Sequence, residues 1–283
     1  MTDDIAKLVS AEWLAGELDK PDLVVVDASW YLPSANRGGH AEYLAGHIPG
    51  AVFFDQDRIV DPASDLPHTL PSPELFAAEA GKLGIAADKR IVVYDGAGIS
   101  AAPRVWWMLG VFGAKDVAVL DGGFPAWIAG ERPVETGESN RLGTHFEAQP
   151  HPEAVADAAA VQRALEAGSA QVVDARPASR FKGLVAEPRP GLRSGHMPKA
   201  LSVPMTDLVQ DGRFKPDDAL RTVFTEAGVD LARPVITTCG SGVTAAVLAF
   251  GLTRLGVPEV RLYDGSWSEW GGRADLPVET DAA

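Results

Sequence analysis

The stretch that decides the fold spans residues 234–252 and reads PVITTCGSGVTAAVLAFGL. An apolar run leads to Cys239, glycines follow it, and a helical pattern begins near Ala245. This order predicts a strand, a tight loop and a helix, with Cys239 where the strand ends. Successive N–H groups in such a loop, together with the N-terminus of a helix, form a cradle for negative charge such as a thiolate.

The rest of the chain alternates segments of the same kinds. Short apolar runs such as Leu23–Asp27 and Ile91–Asp95 predict buried strands. Ser10 and Ser72 are typical N-caps, and each precedes a helical pattern. The alternation predicts an α/β protein whose largely parallel sheets are flanked by helices.

The two halves of the chain repeat one pattern. Gly195–Pro198 corresponds to Gly46–Pro49, so the histidines at the second position of each are expected to share a structural role. Asp95 stands where Cys239 stands in the second half. Because a carboxylate cannot attack sulfur, only the second half is expected to react through a thiol.

The repeat predicts two domains in tandem. We expect an N-terminal domain over residues 1–135, a linker over residues 136–153 that is rich in Pro, Gly and polar residues, and a catalytic C-terminal domain over residues 154–283.

Composition excludes several classes of protein. The net charge of −14 argues against nucleic acid or an anionic membrane as a partner, and one cysteine excludes an intramolecular disulfide framework. The six histidines are scattered, so no metal or other cofactor is expected. No apolar stretch approaches a membrane span, and the acidic residues 1–4 are unlike a signal peptide, so we expect a cytoplasmic protein.

The loop from Cys239 to Thr244 resembles the active-site loop of the rhodanese superfamily, and in particular that of 3-mercaptopyruvate sulfurtransferases. The resemblance covers essentially the whole chain and implies tandem rhodanese-like domains. It also implies transfer of sulfur from 3-mercaptopyruvate to an external thiol such as thioredoxin, or to cyanide, through a persulfide on Cys239. The loop residues implied to stabilise the persulfide are Gly240, Ser241, Gly242, Val243 and Thr244.

Residues 179–190 supply three cations after the predicted strand Val172–Asp174. Loops at the carboxyl ends of parallel strands gather at one edge, so these cations are expected on the side of Cys239. The segment resembles the family element in which two arginines bind the substrate's carboxylate and ketone, which implies that role for Arg180 and Arg189. Lys182 departs from the family pattern at a position that is not one of the two anchors.

A third group of residues is assigned by the resemblance alone. Mercaptopyruvate sulfurtransferases carry an Asp and a His at the spacing of Asp57 and His68, and a serine two residues after the cysteine. This implies a relay in which Asp57 holds the imidazole of His68, and His68 contacts the hydroxyl of Ser241.

Three alternatives stay open at this point. Thiosulfate could be the donor, although a dianion favours positive charge in the loop, and Gly240 and Ser241 carry none. A cysteine phosphatase or arsenate reductase needs an arginine six residues after the cysteine, where this chain has Ala245. A non-catalytic binding module would simply bury Cys239, as most lone cysteines are buried.

Overall fold

The computed structural model describes residues 7–139 and 141–281, and the acidic N-terminus noted above lies outside this part of the chain. The chain divides into two compact units. The first unit contains the described residues up to 61, residues 70–151 and residues 211–214. The second unit contains residues 62–69, residues 152–210 and the described residues from 215 onward.

The first unit is built on a five-stranded parallel sheet with the strand order β1-β5-β4-β2-β3. Its strands are β1 (Lys7–Val9), β2 (Leu23–Asp27), β3 (Val52–Phe53), β4 (Arg90–Tyr94) and β5 (Asp116–Leu120). Its helices are α1 (Ala11–Glu17), α2 (Gly39–Ala45), α3 (Pro73–Lys82), α4 (Ala102–Val111) and α5 (Gly123–Ala129).

The second unit has a sheet of the same kind, with the strand order β6-β12-β11-β7-β8. Its strands are β6 (Val155–Ala156), β7 (Gln171–Asp174), β8 (Leu201–Ser202), β11 (Val235–Thr238) and β12 (Val260–Tyr263). Its helices are α6 (Ala158–Ala167), α7 (Ala178–Phe181), α8 (Asp217–Glu226), α9 (Ala245–Arg254) and α10 (Ser266–Trp270). Two further short strands are β9 (Val209–Gln210), in the second unit, and β10 (Arg213–Phe214), which belongs to the first unit.

Local sequence explains where these elements begin. The side chains of Ser10 and Ser72 accept hydrogen bonds from the third residue beyond them, as N-caps do, so both predicted helix starts are confirmed. All five residues of β2 are buried, because helices cover both faces of a parallel sheet.

The segment expected to be a linker lies along the first unit. The backbone N–H groups of Thr144, Gln149 and His151 donate to carbonyls of that unit. Residues 62–69, by contrast, belong to the second unit although they fall in the first half of the sequence. The domain limits expected from the sequence stay a prediction. Within the described residues, no helix has the length and apolar character needed to cross a bilayer.

A buried ionic network lies in the second unit at the end of β7. The guanidinium of Arg176 binds Asp174 (Nη2–Oδ2 2.7 Å) and Glu187 (Nη1–Oε1 2.7 Å), and it donates to the carbonyl of Gly195. It also lies 4.1 Å from the centroid of a Trp267 ring. Burial disfavours its charge, but the two carboxylates outweigh burial and raise the pKa of Arg176.

We expect Arg176→Ala to destabilise the second unit by about 3–5 kcal/mol, because it leaves two buried carboxylates without their cation. Chemical denaturation of the variant would measure this loss. Arg273→Ala is the matched control: Arg273 also binds two carboxylates, but on an exposed surface, so its loss should be much smaller. Equal losses in the two variants would contradict this account of the network.

Candidate active site

Cys239 lies at the carboxyl end of β11, which pairs with β12 on one side and β7 on the other. The residue is only 2% exposed. Gly240 to Thr244 form the loop that leads into α9, and Gly242 adopts a left-handed backbone conformation with φ of +83°. The predicted order of strand, cysteine loop and helix is confirmed.

The turn after β12 fixes the backbone of this loop. The N–H of Cys239 donates to Oγ of Ser266 at 3.3 Å, and Oγ of Ser266 donates to the carbonyl of Tyr263 at 2.8 Å. The carbonyl of Gly240 accepts from both the N–H and the Oγ of Ser268. Sequence reasoning missed these two serines, although their position after the strand next to β11 was a usable signal.

The two predicted anchor arginines meet at Gly240. A Cβ atom at Gly240 would lie 3.2 Å from Nη2 of Arg180 and 4.0 Å from Nη1 of Arg189. Both guanidiniums therefore lie beside the residue that follows Cys239, and a glycine there leaves room for them. The structure brings Cys239, Arg180 and Arg189 together, as the sequence predicted from the edge of a parallel sheet.

Glu187 orients one of these arginines. Its Oε2 accepts hydrogen bonds from Nε and Nη2 of Arg180, and its Oε1 is held by Arg176. The side chain of Glu187 is 1% exposed, whereas that of Arg180 is 16% exposed. Sequence reasoning missed this positioning role, because a segment without periodicity does not indicate which of its charges is buried.

Ser241 and His68 are the next pair that the structure brings together. Oγ of Ser241 lies 3.0 Å from Nδ1 of His68, and both residues are buried within the second unit. His68 has a φ of +61°, an uncommon conformation for a residue with a side chain. Asp57 belongs to the first unit, where its carboxylate accepts a hydrogen bond from the indole of Trp30 at 2.9 Å.

The corresponding loop of the first unit binds a carboxylate. Asp95 follows β4 as Cys239 follows β11, and its side chain is fully buried. Its oxygens accept hydrogen bonds at 2.8–3.0 Å from the backbone N–H groups of Ala97, Ser100, Ala101 and Ala102. Burial raises the pKa of Asp95, and the four N–H groups oppose that rise. A loop of this shape therefore directs four donors at the carboxyl group of one buried side chain.

The comparisons with known proteins agree with this geometry. The rhodanese-like domain family matches the chain twice, over residues 10–130 and 157–273. Each match covers four of the five strands of one parallel sheet and the loop after its central strand, the loop of Asp95 in the first unit and of Cys239 in the second.

Curated relatives match over nearly the full length. The chain is 48% identical over 272 residues to the 3-mercaptopyruvate sulfurtransferase of Escherichia coli K12, covering 96% of this chain and 97% of that protein. It is 40% identical over 295 residues to the mitochondrial thiosulfate/3-mercaptopyruvate sulfurtransferase 1 of Arabidopsis thaliana, covering 96% of this chain and 78% of that protein.

Among solved structures, the crystal structure of SseA from Escherichia coli, described as a 3-mercaptopyruvate sulfotransferase with the rhodanese fold, superposes with a TM-score of 0.86 at 44% identity. The match covers 93% of this chain and 99% of that one. Two matched domains, full-length relatives and a shared structure lead to one conclusion: the chain belongs to the rhodanese-like family of two-domain sulfurtransferases.

Proposed function

We propose that this protein transfers sulfur from 3-mercaptopyruvate to a thiol acceptor through a persulfide on Cys239, and that it releases pyruvate. One observation carries the proposal: Arg180 and Arg189 both lie beside Gly240, the residue next to the only cysteine in the sequence. A small α-keto acid that carries a thiol, held there by its carboxylate, would place its sulfur atom beside Sγ of Cys239.

The two arginines supply the substrate anchor. In this acidic chain an anionic substrate needs a local group of cations, and guanidiniums bind carboxylate oxygens through paired hydrogen bonds. Glu187 accepts from Nε and one N–H of Nη2 of Arg180, so the second N–H of Nη2 and both N–H groups of Nη1 form the edge of the guanidinium proposed to bind substrate. The buried Arg176 fixes Glu187 in turn, so the anchor is preorganised before substrate binds.

The first half of the reaction makes the persulfide. The Cys239 thiolate attacks the sulfur of 3-mercaptopyruvate, a new S–S bond forms, and the C–S bond breaks. The electron pair of that bond stays on carbon as the enolate of pyruvate, which then takes a proton. We propose that backbone N–H groups of the cysteine loop stabilise the negative sulfur. The Asp95 loop supports this, because the positions of its donors Ala97, Ser100 and Ala101 correspond to Ser241, Thr244 and Ala245 in the second unit.

Ser241 is the group we propose to deliver the proton to the enolate. Its hydroxyl is within hydrogen-bond distance of His68, which can replace the proton that the serine gives up. The role of Asp57 in holding the imidazole rests on the family resemblance and stays a prediction.

In the second half of the reaction a thiol takes the outer sulfur and restores Cys239. The chain has no second cysteine to attack its own persulfide, so the acceptor is external. We propose a dithiol protein of the thioredoxin type as the physiological acceptor, with cyanide as a laboratory substitute. The cytoplasmic location expected from the sequence also stays a prediction.

Thiosulfate is the second candidate donor, and the first experiment compares the two donors directly. Initial rates with 3-mercaptopyruvate and with thiosulfate, using cyanide as the common acceptor, should favour 3-mercaptopyruvate strongly. Cys239→Ser should abolish transfer from both, because an alcohol cannot form a persulfide. Preference for thiosulfate would discard the anchor role of the arginines. Inactivity with both donors would favour a non-catalytic binding module.

A second prediction concerns the anchor. Arg189→Ala should lower kcat/KM for 3-mercaptopyruvate by about 10- to 100-fold, the value of one charge-assisted hydrogen-bonded contact. Steady-state rates over a range of donor concentrations would measure this. Arg221→Ala, on the exposed face of α8, is the matched control and should leave the rates unchanged. A wild-type kcat/KM in Arg189→Ala would contradict the two-arginine anchor.

A further inference from the structure

The first unit contains a pocket of about 450 Å³ beside the Asp95 loop. Its polar lining includes Asp27 at the end of β2, Ser29 and Glu42. Gly46 and the ring of Phe124 complete the inner wall. The proposed sulfur-transfer chemistry uses none of these residues, so the pocket has no assigned role.

The equivalent region of the second unit is filled by the guanidinium of Arg176. Four groups surround that guanidinium: the carboxylates of Asp174 and Glu187, the carbonyl of Gly195 and the ring of Trp267. Asp174, Gly195 and Trp267 each have a counterpart at the same position of the fold in the lining of the first unit's pocket. The counterpart of Glu187 has the same charge.

Backbone hydrogen bonds establish the first of these correspondences. Oδ1 of Asp27 accepts from the N–H of Ser29, and Oδ1 of Asp174 accepts from the N–H of Arg176. Ser29 therefore occupies the position of Arg176. It is a short residue that does not reach the volume that the arginine side chain fills in the second unit.

Two further correspondences follow in the same way. The N–H of Phe124 donates to the carbonyl of Asp95, as the N–H of Trp267 donates to the carbonyl of Cys239. Gly46 and Gly195 each precede a buried histidine whose backbone pairs with a glutamate near the end of its unit. The ring of Phe124 is thus the counterpart of the Trp267 ring, and the carbonyl of Gly46 is the counterpart of the Gly195 carbonyl.

Glu42 takes the place of Glu187 by its contacts. It binds Arg37, whose Nη2 also donates to the carbonyl of Gly96, and Glu187 binds Arg180 beside Gly240. The two pairs differ in detail: Arg37 engages both oxygens of Glu42 and the hydroxyl of Tyr31 donates to Oε2, whereas Arg180 engages only Oε2 of Glu187. Arg37 is therefore the counterpart of Arg180, and the counterpart of Arg176 is the group that the first unit lacks.

Charge leads to the same conclusion. The charged side chains that line the pocket are Asp27, Glu42 and Arg37, which leave one negative charge when all are ionised. In the second unit, the two carboxylates of the network are balanced by two arginines. One bound monovalent cation would give the first unit the same balance.

We propose that this pocket binds a small molecule that carries a guanidinium group on an aliphatic stem. The guanidinium lies against Phe124 and donates to Asp27, Glu42 and the carbonyl of Gly46, as Arg176 does in the second unit. The stem lies along Ile128 and Val134, which also line the pocket and are 45% and 42% exposed. Stacking on an aromatic ring and paired hydrogen bonds both favour guanidinium over ammonium.

The ionisation of Asp27 supports this assignment. Burial raises the pKa of Asp27 to about 6, and the charge of Asp95 adds to the rise, while hydrogen bonds from Ser29 oppose it. At neutral pH the pocket thus holds a buried carboxylate that is mostly ionised. A cation bound to it would offset the cost of burying that charge.

The test uses the full-length protein and ethylguanidinium as the ligand. Titration followed by ¹H–¹⁵N NMR should give saturable shifts at the backbone amides of Ser29, Gly46 and Phe124. The neutral ethylurea and the cationic ethylammonium should each bind at least about 10-fold more weakly, because one lacks the charge and the other the planar donors. Equal binding of either compound would overturn the assignment of a guanidinium site.

Two variants test the location of the site. Ser29→Arg should place its own guanidinium in the pocket and abolish binding of ethylguanidinium, whereas Ser169→Arg, which adds the same charge at an exposed position, should not. Asp27→Asn should also abolish binding, and circular dichroism would show that each variant is folded. Unchanged binding in folded Ser29→Arg would contradict the proposal. The inference concerns the first unit alone, so its failure would leave the sulfur-transfer proposal intact.

Discussion

The carboxylate of Glu187 is the constraint on which the active site depends. It is almost wholly buried, and it is shared between Arg176, which lies in the core of the second unit, and Arg180, which lies beside the cysteine loop. A buried carboxylate is stable only when it is paired, so each partner fixes the other two. Through these two ion pairs, the buried Arg176 determines the orientation of the Arg180 guanidinium, which we propose to bind substrate.

The two units use one architecture for two electrostatic purposes. Both place a charged or ionisable side chain at the end of the central strand, just before a tight loop. In the first unit that loop directs four N–H groups toward the side chain, and we propose the same arrangement for the second. In the first unit this side chain is Asp95, whose carboxyl group is not exchanged during any reaction. In the second it is Cys239, whose sulfur can gain and lose a partner. The same comparison shows what the first unit lacks, since Ser29 stands where Arg176 completes the network.

Sequence patterns predicted the strands, their helices and the position of Cys239, because burial on both faces of a parallel sheet leaves continuous apolar runs. The approach of Arg180 and Arg189 to the cysteine loop followed from the rule that loops after parallel strands meet at one edge. The contact of His68 with Ser241 came only from family resemblance, since 172 residues separate them in the sequence and residues 62–69 join the second unit. The sharing of Glu187 was missed because burial of a charge depends on packing that periodicity does not record.

The central claim is that Cys239 carries the transferred sulfur. Incubation of the protein with 3-mercaptopyruvate in the absence of an acceptor, followed by intact-protein and peptide mass spectrometry, tests it most directly. The account predicts a gain of one sulfur atom on the peptide containing Cys239, release of pyruvate in equal amount, and loss of the added mass when a thiol is supplied. Release of pyruvate without added mass on Cys239, or the added mass elsewhere in the chain, would contradict it.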